Sequence, residues 1–387
     1  METSRWAASP LPGRLGETPL AAGHDGQGAR RAPGEMSARR RRFIKATIAW
    51  TFYAYASVVH ATPQQEPPAQ PTFQLGDSVT MPIRAVNAAH ESAVAFFLEE
   101  KDLLPESVAY DPKDGSFYVG STWKGKIVRV DAKGNASDFV APRQDGLWQV
   151  IGMKVHATRR ILWACSFGGE GLEGWQKTDR NATGVFAFNL DTGKLIRKWV
   201  LDVPGEMHGF NDLVVTRGND VYATHMFKEA AIYRITQKDQ KLEVFAKPEG
   251  LRDVNGIAIT PDERTLYVAG ADGLVAIDIA TAKSRPIPAP ESEQTGGIDG
   301  LYYYRGSLIG MLGNSINRYR LDEAQSRIVM TEVLEQNHPL MKIPTTGVLV
   351  GDEFYYVANA QFDAVKPDGT LDTTALTEPA ILKLKLR

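Results

Sequence analysis

The sequence predicts an all-β protein, a six-bladed β-propeller whose four-stranded antiparallel blades surround a central channel. Three observations lead to this prediction. One pattern of short strands and tight turns recurs six times, with copies beginning at positions 106, 152, 211, 255, 299 and 346. Within each copy apolar and polar residues alternate over strand-length runs, and no helical periodicity competes with them. Repeats of about 45 residues that each hold several short strands are typical of propeller blades.

The strands of each repeat follow one order. The first repeat has an alternating strand from Glu106, a turn, a strand ending at Gly120, and another strand over Lys126–Asp131. The other copies repeat this order over residues 151–189, 211–235, 255–278, 299–319 and 346–384. An extra strand over Ala93–Leu98 is expected to join the last blade and close the ring, because an open sheet leaves edge strands unpaired. A seventh blade would have to fit in residues 72–105, which are too few.

The second repeat also contains a glycine-rich insertion, Phe167–Trp175, between two of its strands. A phosphate-binding loop joins a strand to the N-terminus of a helix, and no helix follows here. We therefore expect a loop at the rim of the propeller. The single cysteine, Cys165, has no nucleophile motif around it and is expected to be a small buried residue.

Composition excludes several classes of protein. The 387 residues include 44 Lys+Arg and 46 Asp+Glu, which gives a net charge of −2. This near-neutral balance offers no electrostatic case for a nucleic-acid partner. One cysteine cannot form an internal disulfide framework, and no Cys/His cluster indicates structural zinc.

The N-terminal region differs from the rest of the chain. Residues 1–61 hold nine basic and four acidic residues, so their charge is opposite to that of the body. We expect residues 1–35 to be disordered or to reflect a start codon placed too early. Residues 36–61 resemble an export signal, with Arg39–Arg42 before a mildly apolar stretch of fourteen residues, 46–59, and a possible cleavage point at Ala61. Residues 62–75 read as a Pro/Gln-rich linker, and residues 76–387 as the propeller.

The segment Arg40–Lys45 also resembles the twin-arginine export motif of bacteria. The apolar stretch is too short to span a bilayer, which needs about 20 residues. We therefore expect a periplasmic or secreted protein with no stable membrane anchor once the signal is removed. An uncleaved anchor and a basic cytosolic tail remain the alternatives.

Polar residues open the inner strands, which line the channel of a propeller. At the position where each repeat begins its inner strand, the six repeats have Glu106, Gly152, Asn211-Asp212, Asn255-Gly256, Asp299-Gly300 and Thr346-Gly347. Four blades would thus direct Glu106, Asn211, Asn255 and Asp299 toward one axis. Two carboxylates and two amide oxygens suit Ca²⁺, which takes six to eight oxygen ligands. The alternative is that Asn-Gly and Asp-Gly are hairpin-turn dipeptides, although this does not explain Glu106 or Asn211-Asp212.

The spacing of these four residues resembles the gluconolactonase/regucalcin (senescence-marker-protein) family of six-bladed propellers. Two phrases support the resemblance over roughly residues 100–360, namely Asn255-Gly-Ile-Ala-Ile-Thr-Pro-Asp262 and Pro105-Glu-Ser-Val-Ala-Tyr110. The resemblance implies that Glu106, Asn255 and Asp299 bind a divalent metal. It further implies that Asn211 contacts substrate or metal and that Asp299 is a candidate general base.

The stretch from Asn211 to Val215, with Val221–His225, also resembles paraoxonase-type arylesterases, in which an Asn-Asp pair holds calcium. This chain departs from that pattern twice. It has Ile151-Gly152 where the pattern has His-Gly, and Asp299-Gly300 where the pattern has Asp-Asn. Both departures favour the gluconolactonase side.

The implied reaction is metal-assisted hydrolysis of a small-molecule lactone or other ester. A base must take a proton from the attacking water, and the candidates are Asp299, His208 and His225. Ca²⁺ is the favoured ion, with Mn²⁺, Mg²⁺ and Zn²⁺ as alternatives. Two other functions stay open: a non-catalytic ligand- or protein-binding propeller with structural calcium, and a metal-free enzyme like the strictosidine-synthase relatives. The sequence does not indicate an oligomeric state.

Overall fold

Six antiparallel sheets of four strands each make up the body of the chain. The computed structural model describes residues 90–202, 206–227 and 230–387. Each sheet is one blade, so the predicted all-β, six-bladed propeller is confirmed. The predicted segments 1–35, 36–61 and 62–75 lie outside the described residues, as does the start of the predicted propeller region, residues 76–89.

The strands are numbered in chain order, and β1 (Ser92–Phe97) belongs to the last blade. Blade 1 contains β2 (Pro105–Asp111), β3 (Ser116–Ser121), β4 (Ile127–Val130) and β5 (Ala136–Val140). Blade 2 contains β6 (Gln149–His156), β7 (Ile161–Phe167), β8 (Ala182–Asn189) and β9 (Leu195–Asp202). Blade 3 contains β10 (Phe210–Val215), β11 (Val221–His225), β12 (Ala231–Ile235) and β13 (Leu242–Ala246).

Blade 4 contains β14 (Ile257–Ile259), β15 (Thr265–Gly270), β16 (Gly273–Asp278) and β17 (Ser284–Pro286). Blade 5 contains β18 (Leu301–Tyr304), β19 (Ser307–Leu312), β20 (Ser315–Leu321) and β21 (Ile328–Gln336). Blade 6 contains β22 (Gly347–Val350), β23 (Glu353–Val357) and β24 (Ala380–Lys385), with β1 as its outermost strand. The helices of the described residues are single 3₁₀ turns at Lys101–Leu103, Gln144–Gly146, Phe362–Ala364 and Thr373–Ala375. None of them is long and apolar enough to cross a membrane.

Tight turns join the strands where the sequence supplies residues that tolerate positive φ. Between β2 and β3 the Gly115 amide donates to the Asp111 carbonyl at 3.0 Å, and Gly115 has φ of 76°. Between β18 and β19 the two loop residues Arg305 and Gly306 have φ of 47° and 76°. Two successive positive φ values match the twist of the paired strands. These two hairpins therefore reverse within a few residues.

Apolar side chains fill the space between adjacent blades, with one buried cluster at each of the six blade interfaces. Between blades 2 and 3, for example, Trp163 stacks on Trp199 with ring centroids 5.4 Å apart. Because every blade buries both of its faces, its middle strands are buried along nearly their whole length, and all five residues of β11 are buried. Cys165 lies in the same cluster and is fully buried, as expected.

The ring is closed by strands from the two ends of the described chain. The predicted strand near Ala93–Leu98 is confirmed as β1, which pairs antiparallel with β24 from Ser92↔Leu384 to Phe97↔Ala380. The Tyr356 hydroxyl strengthens this junction because it donates to Ser92 Oγ at 2.9 Å. The edge that an open six-blade array would expose is thereby paired.

Candidate active site

Each inner strand begins with the same irregularity, in which two consecutive residues oppose one residue of the second strand. In blade 4 the Asn255 amide donates to the Ala269 carbonyl at 2.9 Å, and the Ala269 amide donates to the Gly256 carbonyl at 2.9 Å. Such a β-bulge bends the strand and redirects a side chain. In blade order the bulge pairs are Glu106-Ser107, Ile151-Gly152, Asn211-Asp212, Asn255-Gly256, Asp299-Gly300 and Thr345-Thr346.

The bulges correct the sequence alignment of two blades by one residue. The register of blade 2 places Met153 opposite Ala164, so Ile151 and not Gly152 is equivalent to Asn255. In blade 6 the equivalent residue is Thr345 and not Thr346. Sequence counting missed this because a bulge adds a residue without changing the apolar pattern. Glu106, Asn211, Asn255 and Asp299 do occupy equivalent first positions.

The glycines that follow Asn255 and Ile151 allow neighbouring bulges to approach closely. A Cβ on Gly256 would lie 2.2 Å from the Asp299 carbonyl oxygen. A Cβ on Gly152 would lie 2.6 Å from the Asn211 carbonyl oxygen and from Asp212 Oδ1. Neither glycine has positive φ. The hairpin-turn interpretation of Asn255-Gly256 is therefore wrong, since the glycine is required for contact between blades.

The two predicted carboxylate ligands influence one another. Burial raises the pKa of Glu106 well above its usual value, and the charges of Asp299 and Asp212 raise this pKa further. Burial also raises the pKa of Asp299 to about 6, against a hydrogen bond from the Asn255 side chain that lowers it. Glu106, Asn255 and Asp299, which belong to blades 1, 4 and 5, are thus brought to one electrostatic environment.

Buried oxygen atoms that lack a hydrogen-bond donor indicate which kind of ligand this site would bind. Among the residues that the structure describes, no donor reaches the buried atoms Glu106 Oε2, Asn211 Oδ1 and Asn255 Oδ1. A buried acceptor without a donor costs folding free energy of about 1–3 kcal/mol. All three atoms are oxygens of the kind that Ca²⁺ prefers, so the donor set fits a hard divalent cation. No cluster of three or more His, Cys, Asp or Glu side chains with metal-binding geometry occurs in the described residues.

Sequence reasoning missed one member of the channel, Lys154. Its Nζ donates to Asp212 Oδ1 at 2.9 Å and lies 5.6 Å from the ring centre of Tyr302. The Lys154 charge also lowers the pKa of Glu106, against the larger effect of burial. Lys154 stands three residues after the first bulge position, where the other five inner strands carry Ala109, Val214, Ala258, Tyr302 and Val348. The sequence signal for Lys154 is that the five equivalent residues are uncharged. This signal becomes visible only after the repeats are aligned in the corrected register.

The two predicted histidines meet each other outside the ring of bulges. His208 precedes β10, His225 ends β11, and the distance from His208 Nδ1 to His225 Nε2 is 2.9 Å. Glu206 Oε2 lies 3.6 Å from His208 Nε2. Both imidazoles are buried, and His225 packs against Phe210 and Tyr233. Phe210, the register partner of His225, directly precedes Asn211, so the histidine pair flanks the ring at blade 3.

Two long loops lie at the same end of the ring as the bulges, because consecutive strands alternate in direction. They are residues 168–181 between β7 and β8, which contain the predicted glycine-rich rim loop, and residues 358–379 between β23 and β24. Asp179 holds the first loop through Arg143, at 2.9 and 3.0 Å, and through Trp148 Nε1 at 3.2 Å. The second loop packs Ala364 and Leu376 against Trp123. These loops form a wall above blades 6, 1 and 2.

The raised pKa of Asp299 predicts a pH-dependent stability in the absence of metal. The folded-state pKa of about 6 exceeds the usual value of 3.8, so between these values the folded protein binds the extra proton. Stability from this group is therefore lost as pH rises toward 6. We expect Asp299→Asn, which removes the charge, to raise the melting temperature in EDTA more at pH 7.5 than at pH 5. Thermal unfolding at both pH values tests this, and an equal effect at the two values would contradict it.

Comparisons with known proteins agree with this architecture. Residues 104–302, more than half of the chain, match the family model described as the SMP-30/Gluconolactonase/LRE-like region. A search of curated proteins found no match. Among solved structures, the major allergen Mala s 1 of Malassezia sympodialis has a TM-score of 0.59 at 17% identity, covering 76% of this chain and 96% of that chain.

Two other solved structures show how varied proteins of this fold are. A gluconolactonase of Xanthomonas campestris has a TM-score of 0.50 at 16% identity and covers 73% of this chain and 86% of its own. A PQQ-bound aldose sugar dehydrogenase of Streptomyces coelicolor has a TM-score of 0.52 at 16% identity and covers 76% and 97%. At these identities the likeness shows the fold alone, so the chemistry must be argued from the site.

Proposed function

Since the chain belongs to the SMP-30/gluconolactonase/LRE-like family, we propose that it is a metal-dependent hydrolase that opens a lactone ring at the central channel. The observation that carries the proposal is the set of buried oxygens without donors on Glu106, Asn211 and Asn255. Such atoms are expected where a cation completes the structure. The bulges hold them on rigid inner strands of different blades, which gives a preorganised site.

The proposed ion would be held by Glu106, Asn211, Asn255 and Asp299. Two carboxylates and two amides form an all-oxygen set, which favours Ca²⁺ over softer ions, with Mn²⁺, Mg²⁺ and Zn²⁺ as alternatives. When bound, the ion polarises the ester carbonyl and stabilises the charge that develops on its oxygen. We propose that Asn211, at the first bulge position of blade 3, also contacts the substrate.

The protein must also supply a base. In the proposed step water attacks the carbonyl carbon and the base takes a proton from that water. The ring C–O bond then breaks as the base returns the proton to the leaving oxygen, which gives a hydroxy acid. Asp299 has a pKa of about 6, which leaves it mostly ionised at neutral pH and more basic than an ordinary aspartate. The Asn255 side chain hydrogen-bonds to it and fixes its orientation.

The histidine pair is the alternative base. An ion bound directly to Asp299 would lower its basicity, and the proton would then pass to His208 or His225. The distance between His208 Nδ1 and His225 Nε2 is 2.9 Å, and the Glu206 carboxylate lies beside His208. This carboxylate would stabilise a protonated imidazole. In either case the substrate is a small molecule that enters beneath the loops 168–181 and 358–379.

Metal removal tests the proposal. We expect hydrolysis of the best member of a lactone panel to fall at least about a hundredfold in EDTA and to return when Ca²⁺ is restored, because the carbonyl loses its Lewis acid. Circular dichroism in EDTA serves as the control for folding. If Ca²⁺ raises the melting temperature but no lactone or aryl ester is hydrolysed, the chain is instead a non-catalytic binding propeller with structural calcium.

We also propose that the protein acts in the periplasm or is secreted. This proposal is supported mainly by the basic and apolar pattern of residues 36–61. A propeller whose first and last strands must pair is suited to a route that exports folded proteins, which is the route the Arg40-Arg41 motif resembles.

A further inference from the structure

Lys154 lies next to the ring of bulges, on the inner strand of blade 2 and three residues after its first bulge position. Its ammonium group has one carboxylate partner among the described residues, Asp212 of blade 3, at 2.9 Å. The Asp212 side chain is 1% exposed and the Lys154 side chain 23%. Asp212 Oδ1 also accepts from the Leu213 amide at 2.8 Å, while no donor in the described chain reaches the buried Oδ2. The pair therefore stands between blades, with one carboxylate oxygen unsatisfied.

The local backbone is shaped to receive this carboxylate. Gly152, the second bulge residue of blade 2, lacks the Cβ that would come within 2.6 Å of Asp212 Oδ1. Blades 4 and 5 have Gly256 and Gly300 at the place where blade 3 has Asp212. Blade 3 thus has an aspartate where three other blades have glycine. This aspartate faces Lys154, the only lysine among the six equivalent inner-strand positions. The combination indicates that the site uses the charge of Asp212.

The far side of Lys154 offers no second anion. A cavity of about 220 Å³ opens below it and is lined mainly by apolar residues of five inner strands, including Val155, Val214, Ile257 and Leu349. The aromatic face of Tyr302 covers the ammonium on another side. The positive charge of Lys154 is thus directed at Asp212 and at the ring of bulges above it.

The net charge at the ring of bulges can be counted from the charged side chains at and beside the ring. Glu106, Asp212 and Asp299 contribute three carboxylates that are close enough to influence one another. Lys154 cancels one of these charges, which leaves two negative charges facing the proposed ion. This equals the charge of one divalent cation, whereas the three carboxylates alone would match a trivalent cation.

We propose that Lys154 is a built-in counter-cation that neutralises Asp212 and so sets the channel to prefer a divalent over a trivalent ion. This inference rests on the proposed function, because it needs the ring to bind a metal. In this proposal Lys154 contacts neither substrate nor ion, and it acts only through its charge. It fixes the net charge of a site whose ligands come from other blades.

Competition between Ca²⁺ and Tb³⁺ measures this preference without any substrate. The affinities of both ions are obtained by calorimetry at pH 7.5 on EDTA-treated, dialysed protein. Lys154→Met keeps the apolar stem and removes the charge, so we expect the Tb³⁺ to Ca²⁺ affinity ratio to rise about tenfold or more. Asp212→Asn leaves Lys154 uncompensated, so the ratio and the Ca²⁺ affinity should both fall. The double variant K154M/D212N restores the net charge and should return the ratio close to that of the natural chain.

A buried lysine elsewhere provides the matched control. Lys126 in blade 1 has a side chain only 6% exposed and pairs with Glu100 and Asp138 at 2.6 and 2.7 Å. We expect Lys126→Met to lower the melting temperature and leave the ion ratio unchanged. An unchanged ratio in both Lys154→Met and Asp212→Asn would overturn the inference and leave the pair as a structural plug, with the metal site intact. If the natural chain binds neither ion, the proposed metal site falls and the inference falls with it.

Discussion

Replacing Asp299 with asparagine is expected to lower kcat/KM for the best lactone by roughly a thousandfold. The substitution keeps the shape of the side chain and removes both its charge and its ability to accept a proton. Asp299 is the one predicted ligand whose pKa is held near 6, and Asn255 orients it. Loss of this group therefore removes either an ion ligand or the base, and each loss is large.

Steady-state kinetics combined with Ca²⁺ calorimetry separates these two roles. If Asp299 is mainly a ligand, Asp299→Asn should weaken Ca²⁺ binding about a hundredfold, and excess Ca²⁺ should restore part of the activity. If it is mainly the base, Ca²⁺ affinity should change little while kcat falls. Asp272→Asn, at an exposed ion pair with Arg252, is the matched control and should behave like the natural chain. Activity of Asp299→Asn above a tenth of the natural value would refute a role for Asp299 in the reaction.

Gly256→Ala is expected to have the largest effect on stability. The added Cβ would lie 2.2 Å from the Asp299 carbonyl oxygen and 2.6 Å from the Leu301 amide nitrogen, and backbone atoms cannot yield as a flexible side chain can. Overpacking of this kind costs about 3 kcal/mol, which corresponds to roughly 5 °C in melting temperature for a domain of about 300 residues. The same displacement would move Asp299, so Ca²⁺ affinity should fall as well.

Calorimetric melting of Gly256→Ala beside Gly218→Ala tests this. A Cβ on Gly218 would meet its nearest atom, Thr216 Oγ1, at 3.6 Å, and its φ is not positive, so this control should be nearly neutral. Equal melting temperatures for the two variants would mean that the interface between blades 4 and 5 relaxes easily. That result would contradict a rigid, preorganised site.

Much of the fold follows from patterns that a single sequence contains. Six copies of one strand order predict six blades, and the leftover apolar run at Ala93–Leu98 predicts the closing strand, because both depend on local alternation. The polar residues Glu106, Asn211, Asn255 and Asp299 were also placed at equivalent positions, since a repeat aligns them. The binding of an ion by these residues stays a prediction.

What the sequence could not predict depends on register and on distant pairing. The bulge shifts Ile151 and Thr345 into the first position without altering the apolar pattern. The Lys154–Asp212 pair joins residues 58 positions apart on different blades, and no local rule relates them. The contact of His208 with His225 likewise requires that β10 and β11 pair in one particular register.

The pairing of β1 with β24 has a consequence for how the protein is made. The Tyr356 hydroxyl bonds to Ser92 across a separation of 264 residues, so β1, the first strand of the described residues, must wait for the last blade to be synthesised. Until then the growing chain exposes the edge that β24 will occupy, and contacts of such range form slowly. We therefore expect the nascent protein to depend on chaperones that hold it, and its ring to close only after β24 has been synthesised.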